Sequence, residues 1–242
     1  MSLPHFFAGA PEVGEPVVLA PDDARHAVRS LRLRQGDEFT SSDGRGGLAR
    51  CRVVRAAHLL VEAEVVERTA QDRPRPSLTV LLAPPKGERL TWAVQKLAEL
   101  GADEIVLVEA ARSVRRWEGE RAAKVGPRLE AVVREAAKQA RRQFIPAVSG
   151  PVPWAEAVVP GGVSTILLWE RATVGLLDAL PEGRPNALAL VVGPEGGIPE
   201  EEARAAEVAG ARLAWLGPNI LRTETAAVAA AAVALARYGR LG

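Results

Sequence analysis

The sequence predicts an α/β protein. A small β-rich domain, residues 1–72, precedes a larger domain with a parallel sheet, residues 73–242. Three observations carry this. The stretch QDRPRPS (71–77) holds two prolines and three charges in seven residues and reads as a linker. Before it, short alternating or apolar pieces point to strands joined by turns. After it, continuous apolar runs alternate with helical stretches, as in a sheet buried on both faces by helical crossovers. With 242 residues and 48% hydrophobic content, the chain can bury one large core or two modest ones.

In the first domain, DDARHAVRSLRL (22–33) reads as a helix with aspartates at its start. SSDGRGG (41–47) is a turn between strands, and CRVVRAA (51–57) and LLVEAEVVER (59–68) are strands. In the second domain the apolar runs are LTVLLA (78–83), IVLVEA (105–110), STILLWE (164–170), LALVVG (188–193) and LAWLG (213–217). Helical stretches lie between them at 88–100, within 118–143 and at 201–210, and a last one follows at 223–238. No internal repeat is visible.

Composition narrows the function classes. Net charge is +1, so global charge names no partner. A single cysteine, Cys51, excludes an internal disulfide framework and a thiolate metal site. The histidines His5, His26 and His58 lack ligand spacing, so no metal is expected. No apolar run reaches the roughly 20 residues of a membrane span. The start MSLPHFFAGAPE lacks the basic-then-apolar plan of a signal peptide, so the expectation is a cytoplasmic protein without a membrane partner. Charge is nonetheless uneven. Residues 112–142 carry ten Lys/Arg against four Glu, which suggests phosphate contact. Residues 1–72 carry nine Lys/Arg against eleven Asp/Glu, so RNA contact there must be a local patch. Arg25, Arg29, Arg32 and Arg34 cluster beside His26, and Phe6 and Phe7 beside His5 offer stacking faces.

Two motifs carry chemistry. GPEGGIPEEE (193–202) ends one strand and opens a helix. Its glycines admit close approach of a ligand to the backbone, Pro199 suits the first helical turn, and the glutamates suit the dipole but repel phosphate. The plain alternative is a tight turn, which does not need three glycines and a proline in five residues. LGPNILRTETA (216–226) follows the next strand. Thr223 or Thr225 can cap the helix and Glu224 suits its first turn. Arg222 has no such explanation beyond pairing with Glu224. The helix itself is almost all alanine and must be buried. Both motifs sit at the carboxyl ends of apparent parallel strands, where such sheets bind ligands. Trp169 reads either as core or, with Leu168 and Glu170, as the wall of an adenine pocket. No G-x-G-x-x-G follows a strand, which counts against a Rossmann dinucleotide site.

These residues bear a resemblance. GPEGG followed by LGxxILRTETA resembles the SPOUT class of RNA methyltransferases. Within it, the chain is similar to the bacterial family that methylates N3 of a uridine in small-subunit (16S) ribosomal RNA. PHFF near the start, HAVRSLRLRQGD (26–37), APPKGERLTWAVQKLAELGA (83–102) and EAAKQARRQFIP (135–146) extend the likeness along nearly the whole chain. The resemblance implies a PUA-like β-barrel for residues 1–72 and a trefoil-knotted α/β domain for residues 73–242. It implies S-adenosyl-L-methionine as cofactor, held by three loops. On this sequence their residues are Leu168, Trp169 and Glu170; Val192, Gly193, Pro194, Gly196 and Gly197; and Leu216, Gly217, Ile220, Leu221, Arg222, Thr223 and Ala226. It further implies a homodimer through the knotted domain, and small-subunit ribosomal RNA or the assembled small subunit as partner. Candidate RNA contacts are His5, Phe6, Arg25, Arg32, Arg34, Lys86, Lys96, Arg134 and Arg142. His5 stands where the family usually has arginine, and Ile198 where an aromatic is usual. Arg222 is the candidate for stabilising charge on the uracil oxygens; Glu224 either accepts the N3 proton or orients Arg222. The alternatives are a SPOUT enzyme acting on another base or a ribose 2′-oxygen, and a non-catalytic RNA-binding assembly factor.

Overall fold

The computed structural model describes residues 3–110, 120–157 and 163–241, with only the backbone of 120–124. The chain divides into two compact units: Met1–Arg73 with Ala137–Ile145, and Pro74–Ala136 with Pro146–Gly242.

The first unit holds β1 (His5–Phe6), β2 (Pro16–Val18), α1 (Pro21–Arg29), β3 (Glu38–Ser42), β4 (Gly47–Ala57) and β5 (Leu60–Ala70). They form a five-stranded sheet of order β1-β3-β4-β5-β2. The long β4–β5 pair is antiparallel, and alternate residues of each strand turn inward. Val53, Val61, Ala63 and Val65 thus join Phe6, Phe39 and Ala27 of α1 in one core. The sequence expects α1 to run to Leu33. It stops at Arg29, because Arg32 adopts a left-handed backbone (φ 58°) that no helix continues through.

The segment 137–145 completes this unit. Ser42 Oγ donates to Gln143 O at 3.0 Å and Gly46 N donates to the same carbonyl at 3.2 Å. Ile145 N donates to Gly44 O at 3.0 Å, and Lys138 Nζ donates to Asp23 Oδ1 at 2.8 Å. The sequence reading assigns these residues to the second domain. The local linker signal cannot show that the chain returns.

The second unit holds β6 (Ser77–Leu82), α2 (Arg89–Leu100), β7 (Glu104–Glu109), most of α3 (Glu120–Gln139), β8 (Ala147–Pro153), α4 (Trp154–Ala157), β9 (Ser164–Leu168), α5 (Leu176–Ala179), β10 (Ala187–Val192), α6 (Glu200–Val208), β11 (Arg212–Ala214) and α7 (Thr223–Arg237). Its six-stranded sheet has the order β11-β9-β10-β6-β7-β8, parallel throughout. Four of the five apolar runs are β6, β7, β9 and β10; of the fifth, LAWLG, only Leu213 and Ala214 lie in β11, and Trp215 to Gly217 line the cavity described below. β8 (AVSGPVP) escapes the sequence reading because it is an edge strand, where prolines and a broken apolar pattern are tolerated. Leu78, Leu82, Ile105, Ile166, Leu167, Leu188 and Leu190 are fully buried in the sheet. α7 packs on α2, β10 and β6.

The carboxy-terminal end of the chain is pinned by a buried pair. Arg240 donates to Asp103 at 2.7 Å, to Pro76 O at 2.6 Å and to Gly101 O at 2.9 Å, while Asp103 also accepts from Leu78 N at 2.8 Å. The side chains are 7% and 3% exposed. Each charge therefore has its partner and further hydrogen bonds, the condition under which burial is tolerated. No helix among the described residues is long and apolar enough to cross a membrane.

Candidate active site

Parallel strands β9, β10 and β11 end on the same side of the sheet, and the loops that leave them meet. Between the loops lies a cavity of about 360 Å³. Every residue that the sequence expects around a cofactor, except Arg222, lines it: Leu168 to Glu170, Val192 to Pro194 with Gly196 and Gly197, Leu216, Gly217, Ile220 and Leu221, then Thr223 and Ala226. The structure adds Glu195, Ile198, Trp215, Pro218 and Asn219. The size and the mixture of apolar walls with a few polar groups suit a small-molecule site.

The three loops are tied to one another. Trp169 N donates to Ala214 O at 2.8 Å, fixing the end of β9 beside β11. Trp169 Nε1 donates to Ile198 O at 3.1 Å, so the indole braces the glycine loop. Trp169 is thus both a cavity wall and a strut. Thr223 Oγ1 donates to Gly193 O at 3.0 Å, joining α7 to the same loop. The threonine is therefore not the helix cap. Arg222 holds the N-cap position with an extended backbone, and no side chain caps the helix. Pro199 is likewise the N-cap residue of α6 rather than part of its first turn.

Two glycines are required as glycines. A Cβ on Gly193 would lie 2.4 Å from Ile198 Cγ1, so the packing of Ile198 depends on its absence. Gly197 has φ +74°, and a Cβ there would lie 3.3 Å from Glu170 Oε1 at the cavity wall. Ile198, in a place the family resemblance gives to an aromatic, is buried against this turn.

Helical rotation explains which side chains of α7 reach the cavity. Thr223 and Ala226, three apart, share one face. Glu224 is turned about 100° from Thr223 and lies toward α2, where its Oε1 is 3.6 Å from Arg89 Nε. Glu224 is 7% exposed, and its Oε2 is buried without a hydrogen-bond partner. The Arg222–Glu224 pair expected as the bland alternative is absent. Arg222 is exposed, and its guanidinium has no hydrogen-bond or ion-pair partner among the described residues. Arg89 is the residue that sequence reasoning missed. It lies within the quoted stretch APPKGERLTW, yet no local signal marks a partner 135 residues away.

The candidate RNA contacts divide by burial. Phe6 is 1% exposed and packs edge-on to Phe39, so its assignment as a stacking face is corrected: β1 turns it into the core. Phe7 is also buried, edge-on to His5. His5 is buried too. Its Nδ1 pairs with Thr40 Oγ1 at 2.9 Å, and its Nε2 is the donor to Arg142 O at 3.1 Å. Burial pushes its pKa below the usual value, which keeps the ring neutral. His5 therefore fills a structural place and offers no ring to RNA. Arg25, Arg32, Arg34, Lys86 and Arg134 are exposed. Arg142 is half-buried, and Lys96 is half-buried with Nζ 2.7 Å from Glu99 Oε2. Of the basic run, Arg112, Arg115 and Arg116 lie outside the described residues, as do the side chains of Arg121 and Lys124. Among the described residues no cluster of His, Cys, Asp and Glu has the makings of a metal site. Burial raises the Cys51 thiol to about 11, so it is no nucleophile.

Comparison with known proteins adds the following. Residues 72–235 match the family model of an RNA methyltransferase domain, and residues 19–66 that of an RNA methyltransferase PUA domain. The chain is 40% identical over 237 residues to ribosomal RNA small subunit methyltransferase E of Mycobacterium bovis, covering 96% of this chain and 88% of the relative. It is 31% identical over 224 residues to the Bacillus subtilis protein of the same name, covering 85% and 84%. Among solved structures, it resembles ribosomal RNA small subunit methyltransferase E of Neisseria gonorrhoeae bound to S-adenosyl methionine. There the identity is 30% and the TM-score 0.86, with 98% of both chains covered.

Proposed function

Since the chain belongs to the RNA methyltransferase family, and within it to the ribosomal RNA small subunit methyltransferase E group, we propose that it transfers a methyl group from S-adenosylmethionine to N3 of a uridine in 16S ribosomal RNA. The observation that carries this is the convergence of three loops, from three adjacent parallel strands, on one cavity of about 360 Å³. The residues suit the cofactor. Apolar walls from Leu168, Val192 and Leu216 accept an adenine face. The carboxylates of Glu170 and Glu195 on the wall complement a cationic ligand, and among the described residues no cationic side chain lines the cavity. When bound, S-adenosylmethionine supplies a methyl carbon made electrophilic by its sulfonium leaving group.

The chain's own residues orient and stabilise. Holding the methyl carbon in line with N3 supplies much of the barrier reduction. The uridine must be unpaired to present N3. Loss of the N3 proton to water leaves negative charge on the uracil oxygens, and Arg222, exposed beside the cavity-lining Thr223, stabilises it. Glu224 is buried and turned from the cavity. Of its two sequence-expected roles we therefore favour orientation of the turn that carries Arg222. Exposed Arg25, Arg32, Arg34, Lys86 and Arg134 supply phosphate contacts.

Three further features belong to this proposal. A trefoil knot is supported by the chain path. β11 pairs with β9, yet the loop after it leads to α7, which packs on β10 and β6. A homodimer is supported by the half-exposed apolar stripe of α7, which includes Val228, Ala229 and Val233. A cytoplasmic setting follows from the substrate. The test is incubation with labelled S-adenosylmethionine and small subunits lacking the modification, followed by mapping of the labelled nucleotide. Label at a uridine N3 is expected; label elsewhere, or none, overturns the assignment.

A further inference from the structure

A fourth loop borders the site. β6 lies beside β10 in the sheet, and the loop 83–88 leaves its carboxyl end. Lys86 N donates to Glu195 Oε1 at 3.3 Å, so this loop holds the glycine loop. One turn later, Arg89 at the start of α2 meets Glu224 at the start of α7. Glu224 is a carboxylate almost wholly removed from water, with one oxygen facing Arg89 and the other unpartnered. Arg89 is its ion-pair partner among the described residues. A carboxylate buried in this way stays in place only while a countercharge compensates it. The turn it occupies also carries Thr223 and Ala226 of the cavity wall and follows Arg222.

We infer that Arg89 is a positioning residue of this site: by compensating the buried charge of Glu224 it lets the first turn of α7 keep its place, and with it the Thr223–Gly193 contact and the placement of Arg222. The inference rests on the proposed methyl-transfer reading. It differs from a role for Glu224 as proton acceptor. A positioning pair can be removed as a pair, because the neutral amide of glutamine needs no countercharge. An acceptor cannot be replaced by an amide.

The experiment compares Arg89→Ala, Arg89→Lys, Glu224→Gln and the double variant Arg89→Ala/Glu224→Gln. Cofactor affinity is measured by titration calorimetry with S-adenosylmethionine, and methyl transfer on small subunits. Arg89→Ala is expected to lose about tenfold in both, in the range of directly coupled neighbours. Arg89→Lys and the double variant are expected to recover most of the loss. Wild-type behaviour of Arg89→Ala overturns the inference. So does a double variant no better than Arg89→Ala, which would return Glu224 to a chemical role. Wild-type protein that neither binds S-adenosylmethionine nor transfers methyl overturns the proposed function instead.

Discussion

At the scale of the residue, neighbours in sequence divide sharply by direction. In LRTETA, Thr223 bonds the glycine loop, Glu224 turns to α2 and Arg222 stays exposed at the helix start. The sequence shows four polar residues, Arg222 to Thr225, before an alanine run; only the helical rotation separates the roles of the first three. Changing Arg222 to Ala should therefore leave calorimetric affinity for S-adenosylmethionine essentially unchanged. Turnover should drop by about 10²-fold, the scale of losing one charge-stabilising donor. Equal losses in both would move Arg222 into the cofactor site. His5 gives a pH prediction. Its folded pKa is depressed by burial, so the folded chain binds fewer protons than the unfolded chain. Its stabilising share is complete above the ordinary value of about 6.5 and is lost as pH falls from there through the depressed folded value. Urea midpoints at pH 7.5 and pH 5 should differ less in His5→Gln than in wild type. An identical acid loss in both would show that other groups carry it.

At the scale of the element, the sequence was most legible where burial is two-sided. β6, β7, β9 and β10 are continuous apolar runs because the elements packed on the two faces of the sheet exclude water from both. β8 was not legible, since an edge strand needs no such run. The loops that line the cavity stood out by their glycines, and the geometry shows what two of those glycines do. At Gly197 the backbone lies in the left-handed region, and the space beside it ends at Glu170 Oε1, 3.3 Å from where a Cβ would sit. Gly197→Val meets both obstacles at once. The strain alone costs about 1–2 kcal/mol for a β-substituted residue, and the side chain competes with the ligand for the cavity wall. Calorimetry should show affinity for S-adenosylmethionine weakened by about tenfold or more, since each 1.4 kcal/mol is a factor of about ten. Unchanged binding would remove this loop from the cofactor site.

At the scale of the whole molecule, the chain path matters more than the linker. The prolines at 74 and 76 mark where the chain leaves the first unit, and nothing local marks the return at 137–145. The return segment is not decoration. It supplies the acceptors for His5 Nε2, Ser42 Oγ and Gly46 N, the donor for Gly44 O, and the ammonium beside Asp23. It also brings Phe144, 8% exposed, under the Arg73 guanidinium at 5.1 Å from the ring centroid. Each hydrogen bond left unmade at a buried site costs about 1–3 kcal/mol, and removal of a buried phenylalanine costs about 3–5 kcal/mol. Together these rival the roughly 5–15 kcal/mol that holds a typical domain folded. A chain ending after Arg73 should therefore fail to form the cooperative first unit, although it contains all five strands and the whole PUA match. Its near-ultraviolet spectrum and hydrogen exchange, compared with those of the same residues in the full chain, provide the measurement. Loss of amide protection in β3 and β4 is expected first, because their ends carry the orphaned groups. Native-like protection in the truncated chain would show that the five-stranded sheet is self-sufficient and that 137–145 merely rests on it.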